Sequence, residues 1–565
     1  MTIFSLIFLS CTFIYSWLNI WSLGYLGVFF LVLSNLFISV FFVWWDLYIS
    51  WFYSYTYGVL GFLWAELGNN IHIYVGFNLD FFGIVLAFVM TSGAFFVILF
   101  VYVDMWSDKD GVFFLIELGF FLVFMLVTVL SDNIIFFYLG WEGIGFMSLF
   151  LINFWCERVR GLKASFKVFV INKVGDFFVM TLICLILGQI GASNFMEINY
   201  SMLNYINYNF YLGSYKISFI EFLGIILVLG GSIKSAQYGF HIWLLEAMEA
   251  PLGASALMHS STLVIAGLVL IYRLINILEF SSWAQILMYL MGIFSAFSGS
   301  FIACFQYELK VVMAYSTISN MGYIFTLCAL GAYYEMLIVV IIHAYIKIFL
   351  FLVVGGIILH CNGCQDIRWM GGLFLYIPVL WVAYFIGGVC LIGLPYWSGY
   401  YCKYYICSSV FNSSLIVKGC DFILLFSYFF TAIYVFRLGY LVFFGSKNGH
   451  KSIYKVKYNS LIYTFDLILL GIVIMFFGIF WVNLIDSNYI SLFNSYFFKN
   501  LFVFKYLYYS LSYYSLYMWI IIYILLLVLF YFWFFFNLSF TWNFFYYWHE
   551  MFVVLLYILF IYTSI

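Results

Sequence analysis

Charge is what this sequence has least of. Of its 565 residues only 21 are Lys or Arg and 23 Asp or Glu, and the net charge is −2. A charged fraction of 8%, against about 25% in soluble domains, leaves too few polar groups to cover a surface facing water. The shortage excludes a soluble enzyme, a disordered chain and a nucleic-acid binder, which needs a basic stripe. Proline is almost missing, at 3 residues, a skew that physics does not demand and that points to an AT-rich, organelle-type coding genome. The 11 cysteines form neither a disulfide framework nor a repeated metal-ligand spacing. They read as small buried hydrophobes, and the lone close pair, Cys361 and Cys364, reads as a loop coincidence. Residues 1–20 lack a basic start and a small-residue cleavage site, so they read as a first span and not as a removable signal.

What is present is apolar, 67% of the chain, with 73 Phe and 50 Tyr. A hydrocarbon core takes about 20 apolar residues per helix. The sequence predicts sixteen such spans, at 3–20, 26–44, 80–102, 112–131, 133–152, 166–190, 217–238, 252–275, 283–304, 309–330, 335–359, 376–408, 421–444, 461–484, 514–536 and 545–563. Their runs are uniformly apolar and do not alternate, which favours helices over an outer-membrane barrel. Loops after odd-numbered spans hold Lys109, Arg158, Arg160, Lys163, Arg368, Lys447, Lys451, Lys455 and Lys457, while even loops hold only Lys216, Lys418, Lys499 and Lys505. The positive-inside bias places the odd loops on the matrix or cytoplasmic side and both termini on the opposite side.

Because an ionisable group inside a span costs at least about 2.5–3.5 kcal/mol and needs a partner or a wet cavity, those placed mid-span are informative. Glu142 falls in span 5, Lys173 and Asp176 in span 6, Lys234 in span 7, His259 in span 8, His343 and Lys347 in span 11, and Lys403 in span 12. Each has a plain structural reading beside the functional one. Glu142 is then an interfacial charge, the lysines snorkel to a surface, the histidines are satisfied core residues, and Lys173 with Asp176 is an i, i+3 ion pair. His343 and Lys347, at i, i+4, share a helix face. Arg273 and Glu117, near span ends, are assigned no function.

Lys234 stands between Gly230, Gly231 and Gly239, and Lys403 follows Gly393, Pro395 and Gly399. Two weakened helices, five spans apart and each bearing a lysine, suggest an internal five-helix repeat with spans 7 and 12 broken, the arrangement transporters use at ion sites. A carboxylate beside a buried lysine keeps it protonated, so a Glu142–Lys234 pair makes a proton switch. A lysine, a lysine–histidine pair and a second lysine, linked by water, then carry a proton sideways through the membrane without metal or redox group.

The stretch Asp132 to Gly143, ending in Gly140, Trp141 and Glu142, resembles the span 5 signature of the antiporter-like membrane subunits of respiratory complex I. Lys234 to Met248, with His241, Trp243 and Glu246, then Pro251 and Ser255 to His259, resembles the most specific motif of that family. The likeness covers 80–444. Asn172, Lys173, Gly175 and Asp176, the block Asp366 to Gly372, and Gly393 to Lys403 are similar to the mitochondrially encoded chain 5 type and not to the chain 2 or chain 4 types, the last of which is expected to have a glutamate at position 403.

The resemblance implies an all-α polytopic membrane protein of about sixteen transmembrane helices, with two inverted five-helix repeats: N-terminal spans over 1–79, a proton-translocating core over 80–444, and C-terminal spans over 445–565. It implies that Glu142 and Lys234 are the input pair, that His259 and Lys347 connect the centre, that Lys403 is the output and that Asp176 tunes the first pair. It further implies the distal end of the membrane arm of NADH:ubiquinone oxidoreductase, in the mitochondrial inner membrane with both termini in the intermembrane space. Partners would be other membrane-arm subunits, above all a chain 4-like neighbour, with accessory subunits and phospholipids such as cardiolipin, and no nucleic acid. NADH, FMN, Fe–S clusters and ubiquinone are expected elsewhere in the complex, since this sequence has neither a GxGxxG after a strand nor clustered Cys or His ligands.

The sequence also departs from the family. Gly239, Leu245, Leu252 and Gly253 stand where prolines are usual, Glu246 where an aspartate is, and Tyr404 where an acidic residue usually follows the output lysine. Only eight residues separate spans 15 and 16, which predicts that the long lateral helix of chain 5 is short or absent; the rival is that 511–548 is itself that helix. Two functional rivals stand beside the proton-pumping subunit: a subunit of a multi-subunit sodium/proton antiporter, and a structural anchor that no longer pumps.

Overall fold

The computed structural model describes residues 1–53, 57–67, 71–212, 215–395, 397–412, 418–449 and 461–486. Ten of its helices are long and apolar enough to cross a membrane, so the chain is a multi-pass membrane protein. In order, α1 (Thr2–Leu18) and α2 (Ile20–Tyr53) lead into the strands β1 (Tyr57–Leu67) and β2 (Ile71–Leu79). Then come α3 (Phe81–Asp104), α4 (Gly111–Leu130), α5 (Ile134–Ile152), α6 (Val159–Gln189), the short α7 (Phe195–Ser201), and the strands β3 (Asn209–Leu212) and β4 (Tyr215–Ser218). Next are α8 (Phe219–Lys234), α9 (Ile242–Glu246), α10 (Leu252–Ser260), α11 (Leu263–Arg273), α12 (Ile275–Glu279), α13 (Ser282–Ala303), α14 (Leu309–Ala329) and α15 (Tyr333–His360). The described chain ends with α16 (Pro378–Ile392), α17 (Ser398–Asn412), α18 (Lys418–Gly439) and α19 (Leu461–Asp486).

The core forms around α15. Its membrane-spanning stretch is buried on every side, which suits a helix that is apolar all round, and it packs against α3, α10, α14, α16, α17 and α19. Small residues bring other helices into backbone contact, as membrane packing without a hydrophobic drive requires. A Cβ on Gly299 would stand 2.9 Å from the Ser319 nitrogen, joining α13 to α14, and one on Gly267 would strike the Gly231 carbonyl, joining α8 to α11. Local signals set several helix ends. Asn133 caps α5 by accepting from the Phe136 amide at 2.6 Å. Pro378 opens α16, and Gly393, left-handed at φ 79°, closes it. In the loop after α15, Arg368 donates to Asp366 at 2.6 Å and holds that carboxyl below its ordinary range.

The first fourteen predicted spans each coincide with a helix or with a pair of half-helices, and the structure corrects the sequence reading in detail. The expectation of an all-α protein fails at two antiparallel hairpins, β1–β2 and β3–β4. Residues 57–79 fall between predicted spans 2 and 3; there Gly61 lies against the Val75 carbonyl, where no side chain fits. Span 2 is longer than 26–44, since α2 continues across a kink at Gly24, which has φ 61°. Span 8 is interrupted by Ser261 and Thr262, with Thr262 at φ −121°, ψ −91°. Spans 15 and 16 and the expected loss of the lateral helix lie outside the described residues.

Candidate functional site

Span 7 breaks at its lysine. α8 ends on Lys234, Ala236 and Gly239 take φ of 52° and 97°, and the chain resumes as α9. Carbonyls freed by the break find new donors, among them Ile233, which accepts from the Trp243 indole at 2.7 Å. The Lys234 side chain is fully buried. Its ammonium donates to the Trp141 carbonyl at 2.6 Å, lies 4.0 Å from the centre of the Trp141 ring and stands 3.7 Å from Asp176 Oδ1. Gly145 on α5 faces the ammonium, and a Cβ there would be in ordinary contact with Lys234 Nζ at 3.9 Å.

The expected Glu142–Lys234 pair is therefore corrected to a longer ladder. Asp176 accepts from the Trp141 indole at 2.8 Å and pairs through its other oxygen with Lys173 at 3.3 Å. Lys173 in turn pairs directly with Glu142, which also accepts from Tyr138 at 2.5 Å. Successive helix residues project about 100° apart; Trp141 looks toward α8, so Glu142 looks outward to α6. Lys234, Asp176, Lys173 and Glu142 thus form one row of alternating sign, from a lysine with no exposure to a pair whose side chains are 43% and 29% exposed on this chain.

The other expected residues lie apart from that row. His259, at the end of α10, is completely buried with neither ring nitrogen hydrogen-bonded, its ring 6.3 Å from that of Trp243 and 6.2 Å from that of Phe351. Lys347 and His343 share one face of α15 as expected, yet each finds its own partner on α14. The ammonium donates to the Ser316 hydroxyl, and His343 Nδ1 meets the Asn320 amide at 3.0 Å. The break in span 12 lies between α16 and α17. There Lys403 donates to the Ile392 carbonyl at 2.7 Å, one of those released by the break, and to Thr431 Oγ1 at 2.9 Å. Its ammonium sits 4.9 Å from the Tyr428 ring and has no carboxylate partner among the described ion pairs, in keeping with Tyr404 in the place of an acid.

Two elements of the site escaped the sequence reading. Lys310, in the first turn of α14, is buried and donates to the carbonyls of Met248 and Ala250 at 3.2 and 2.9 Å. It lines a cleft of about 370 Å³ together with Asp104, Arg158, Glu246, Glu249 and Glu308. The second is the break after His259, for which Ser260, Ser261 and Thr262 in succession are a faint signal, because their hydroxyls compete for backbone carbonyls. Arg273, given no role above, is a clamp: it donates to Asp80 at 3.0 Å and to the Val129 carbonyl at 2.6 Å, tying the ends of α11, α3 and α4.

The chain is similar to known membrane subunits. It is 36% identical over 382 residues to the NADH-ubiquinone oxidoreductase chain 5 of Chondrus crispus, covering 66% of this chain and 57% of that one. It is 34% identical to the protein of the same name from Metridium senile, covering 76% and 70%. The chain thus spans well under two thirds of the first relative's length. Its fold matches a chain of the Mrp complex from Dietzia sp. with a TM-score of 0.76 at 19% identity, covering 94% of this chain and 55% of that one. Residues 131–434 match the family described as NADH:quinone oxidoreductase/Mrp antiporter, TM, and that stretch holds Glu142, Lys173, Asp176, Lys234, His259, His343, Lys347 and Lys403, so the chain belongs to this family.

Proposed function

We propose that this protein is a proton-translocating subunit in the membrane arm of NADH:ubiquinone oxidoreductase. The observation that carries the reading is the set of three lysines, Lys234, Lys347 and Lys403, each at most 6% exposed and set in neighbouring parts of one helix bundle. Each donates hydrogen bonds to neutral groups, and Lys234 alone also stands beside a carboxylate. Ammonium groups held as Lys347 and Lys403 are, with no carboxylate among the described ion pairs, give up and regain protons readily, and the family relatives carry the name of the oxidoreductase. Redox energy released elsewhere reaches the chain by a shift of charge at the Glu142 end of the ladder, which biases Lys234 through Lys173 and Asp176. His259 and Lys347 pass the proton on, His343 supports Lys347, and Lys403 releases it. No cofactor has a role in this step. The interrupted helices at Lys234 and Lys403 support two five-helix repeats within 80–444, and the distribution of Lys and Arg supports both termini in the intermembrane space of mitochondria.

The half-exposed Lys173–Glu142 pair also supports a partner subunit at mid-membrane, since two charges facing lipid are costly. The test is the complex carrying Lys234→Ala, reconstituted in vesicles. NADH oxidation with a reduced proton-to-electron ratio is expected, and an unchanged ratio in the assembled complex would favour an anchor. Transport that depends on sodium would favour the antiporter.

A further inference from the structure

Lys347 and Lys403 are on separate helices with no contact between them among the described hydrogen bonds, and resting on the function proposed above a proton must cross from one to the other. The structure points to an answer on α18. Ser427, Tyr428, Thr431 and Tyr434 recur there at helical spacing and are all at most 2% exposed, a polar ridge turned into the bundle. Buried hydroxyls in lipid-embedded helices are costly unless paired. Most of these are: Ser427 meets the Tyr323 hydroxyl of α14 at 2.6 Å, and Thr431 donates to the Tyr428 carbonyl at 2.6 Å while accepting from Lys403 at 2.9 Å. The Tyr434 hydroxyl is the member of the ridge nearest the central lysine. It lies beside Ser316, the residue that accepts from Lys347.

We propose that Ser316, Tyr434 and Thr431 form a hydroxyl relay that carries the proton from Lys347 to Lys403. Each hydroxyl accepts a proton on its oxygen and releases the one it bore. Ser316 takes a proton from Lys347 and turns its own, parked on the Met313 carbonyl at 2.7 Å, toward Tyr434. Thr431, one turn back on the same face of α18, receives the next and turns its proton from the Tyr428 carbonyl to an uncharged Lys403. One bridging water closes any interval longer than a hydrogen bond. The net change is one proton lost by Lys347 and one gained by Lys403, with every hydroxyl restored. The Tyr323–Ser427 bond fixes α18 against α14 about two turns away, so that Tyr434 stays beside Ser316. The relay also gives Lys403 a proton-conducting neighbour where the family's usual acidic residue is replaced by Tyr404.

The test compares Thr431→Val, which keeps the volume and removes the hydroxyl, with Thr431→Ser, which keeps the hydroxyl and removes a methyl. Tyr434→Phe and Lys347→Ala are measured alongside, all in the intact complex reconstituted in vesicles, with assembly checked on native gels. The relay expects Thr431→Val and Tyr434→Phe to lower the proton-to-electron ratio to that of Lys347→Ala, with Thr431→Ser restored to the unmodified value. Equal losses in Thr431→Val and Thr431→Ser would mean that packing is at stake and would overturn the relay. If Thr431→Val and Tyr434→Phe pump normally while Lys347→Ala does not, the relay falls and the proposed function stands. If Lys347→Ala also pumps normally, the proposed function falls with it. Should Tyr434→Phe fail to assemble, the Thr431 pair decides alone.

Discussion

A lysine buried at mid-membrane is governed by what its ammonium touches, and Lys234 touches a carbonyl, an indole face and one oxygen of Asp176. Removing one partner of a buried pair costs about 3–5 kcal/mol, because the other charge is left uncompensated. Asp176 is 4% exposed and 3.7 Å from Lys234, whereas Glu142 is on the outer end of the ladder and pairs with Lys173. Asp176→Asn is therefore expected to depress pumping as severely as Lys234→Ala, and Glu142→Gln to depress it less. The check is the proton-to-electron ratio of each in vesicles; a greater loss from Glu142→Gln would mean that the glutamate acts on Lys234 directly. The mid-span charges themselves were legible in the sequence, because a charge inside an apolar run stands out. Their pairing was not. Whether Lys234 meets Glu142 or Asp176 depends on how α8 crosses α5 and α6, and Lys310 was missed because one residue at a span end carries no signal of its burial.

At the scale of elements, the breaks in spans 7 and 12 were readable because glycines and a proline flank each lysine, whereas the break in span 8 depends on Ser261 and Thr262 being held inside the bundle. The hairpin β1–β2 went unread because its partner strand supplies what its own sequence does not advertise. Helix ends are tied by clamps that cross the bundle, among them Arg273 on Asp80 and Val129. Its loss strands Asp80 and a buried carbonyl together, so Arg273→Ala is expected to destabilise the subunit by about 3–5 kcal/mol. The measurement is the amount of assembled complex and its melting temperature, with the expected loss larger than for an exposed charge such as Lys109. An unchanged melting temperature would show that the clamp adds nothing to stability.

For the molecule as a whole, one face of α6 is unlike the rest of the surface. Phe166, Val170, Lys173, Phe177 and Met180 are 43–65% exposed and follow one another at three or four residues, so they form a continuous stripe with a lysine at its centre. A stripe meeting lipid alone would not retain that lysine together with Glu142, and the proposed neighbour subunit covers both. Val170→Trp adds bulk to the stripe; it is expected to reduce association of the subunit with its complex on native gels while leaving the amount of the chain in the membrane unchanged. Normal association would place this face against lipid.

Composition and local spacing decide a good deal here: the solvent is a bilayer, the helices follow one another at span length, two of them break at a lysine, and the ionisable residues inside them are few and identifiable. These features depend on neighbours within a turn or two, which a sequence displays directly. The ladder from Lys234 to Glu142, the hydroxyl ridge of α18 against α14, the burial of Lys310 and the outward face of α6 were decided by tertiary structure alone. Each depends on the crossing of helices far apart in the chain, where a rotation of one residue, about 100°, exchanges a partner in the core for the surface.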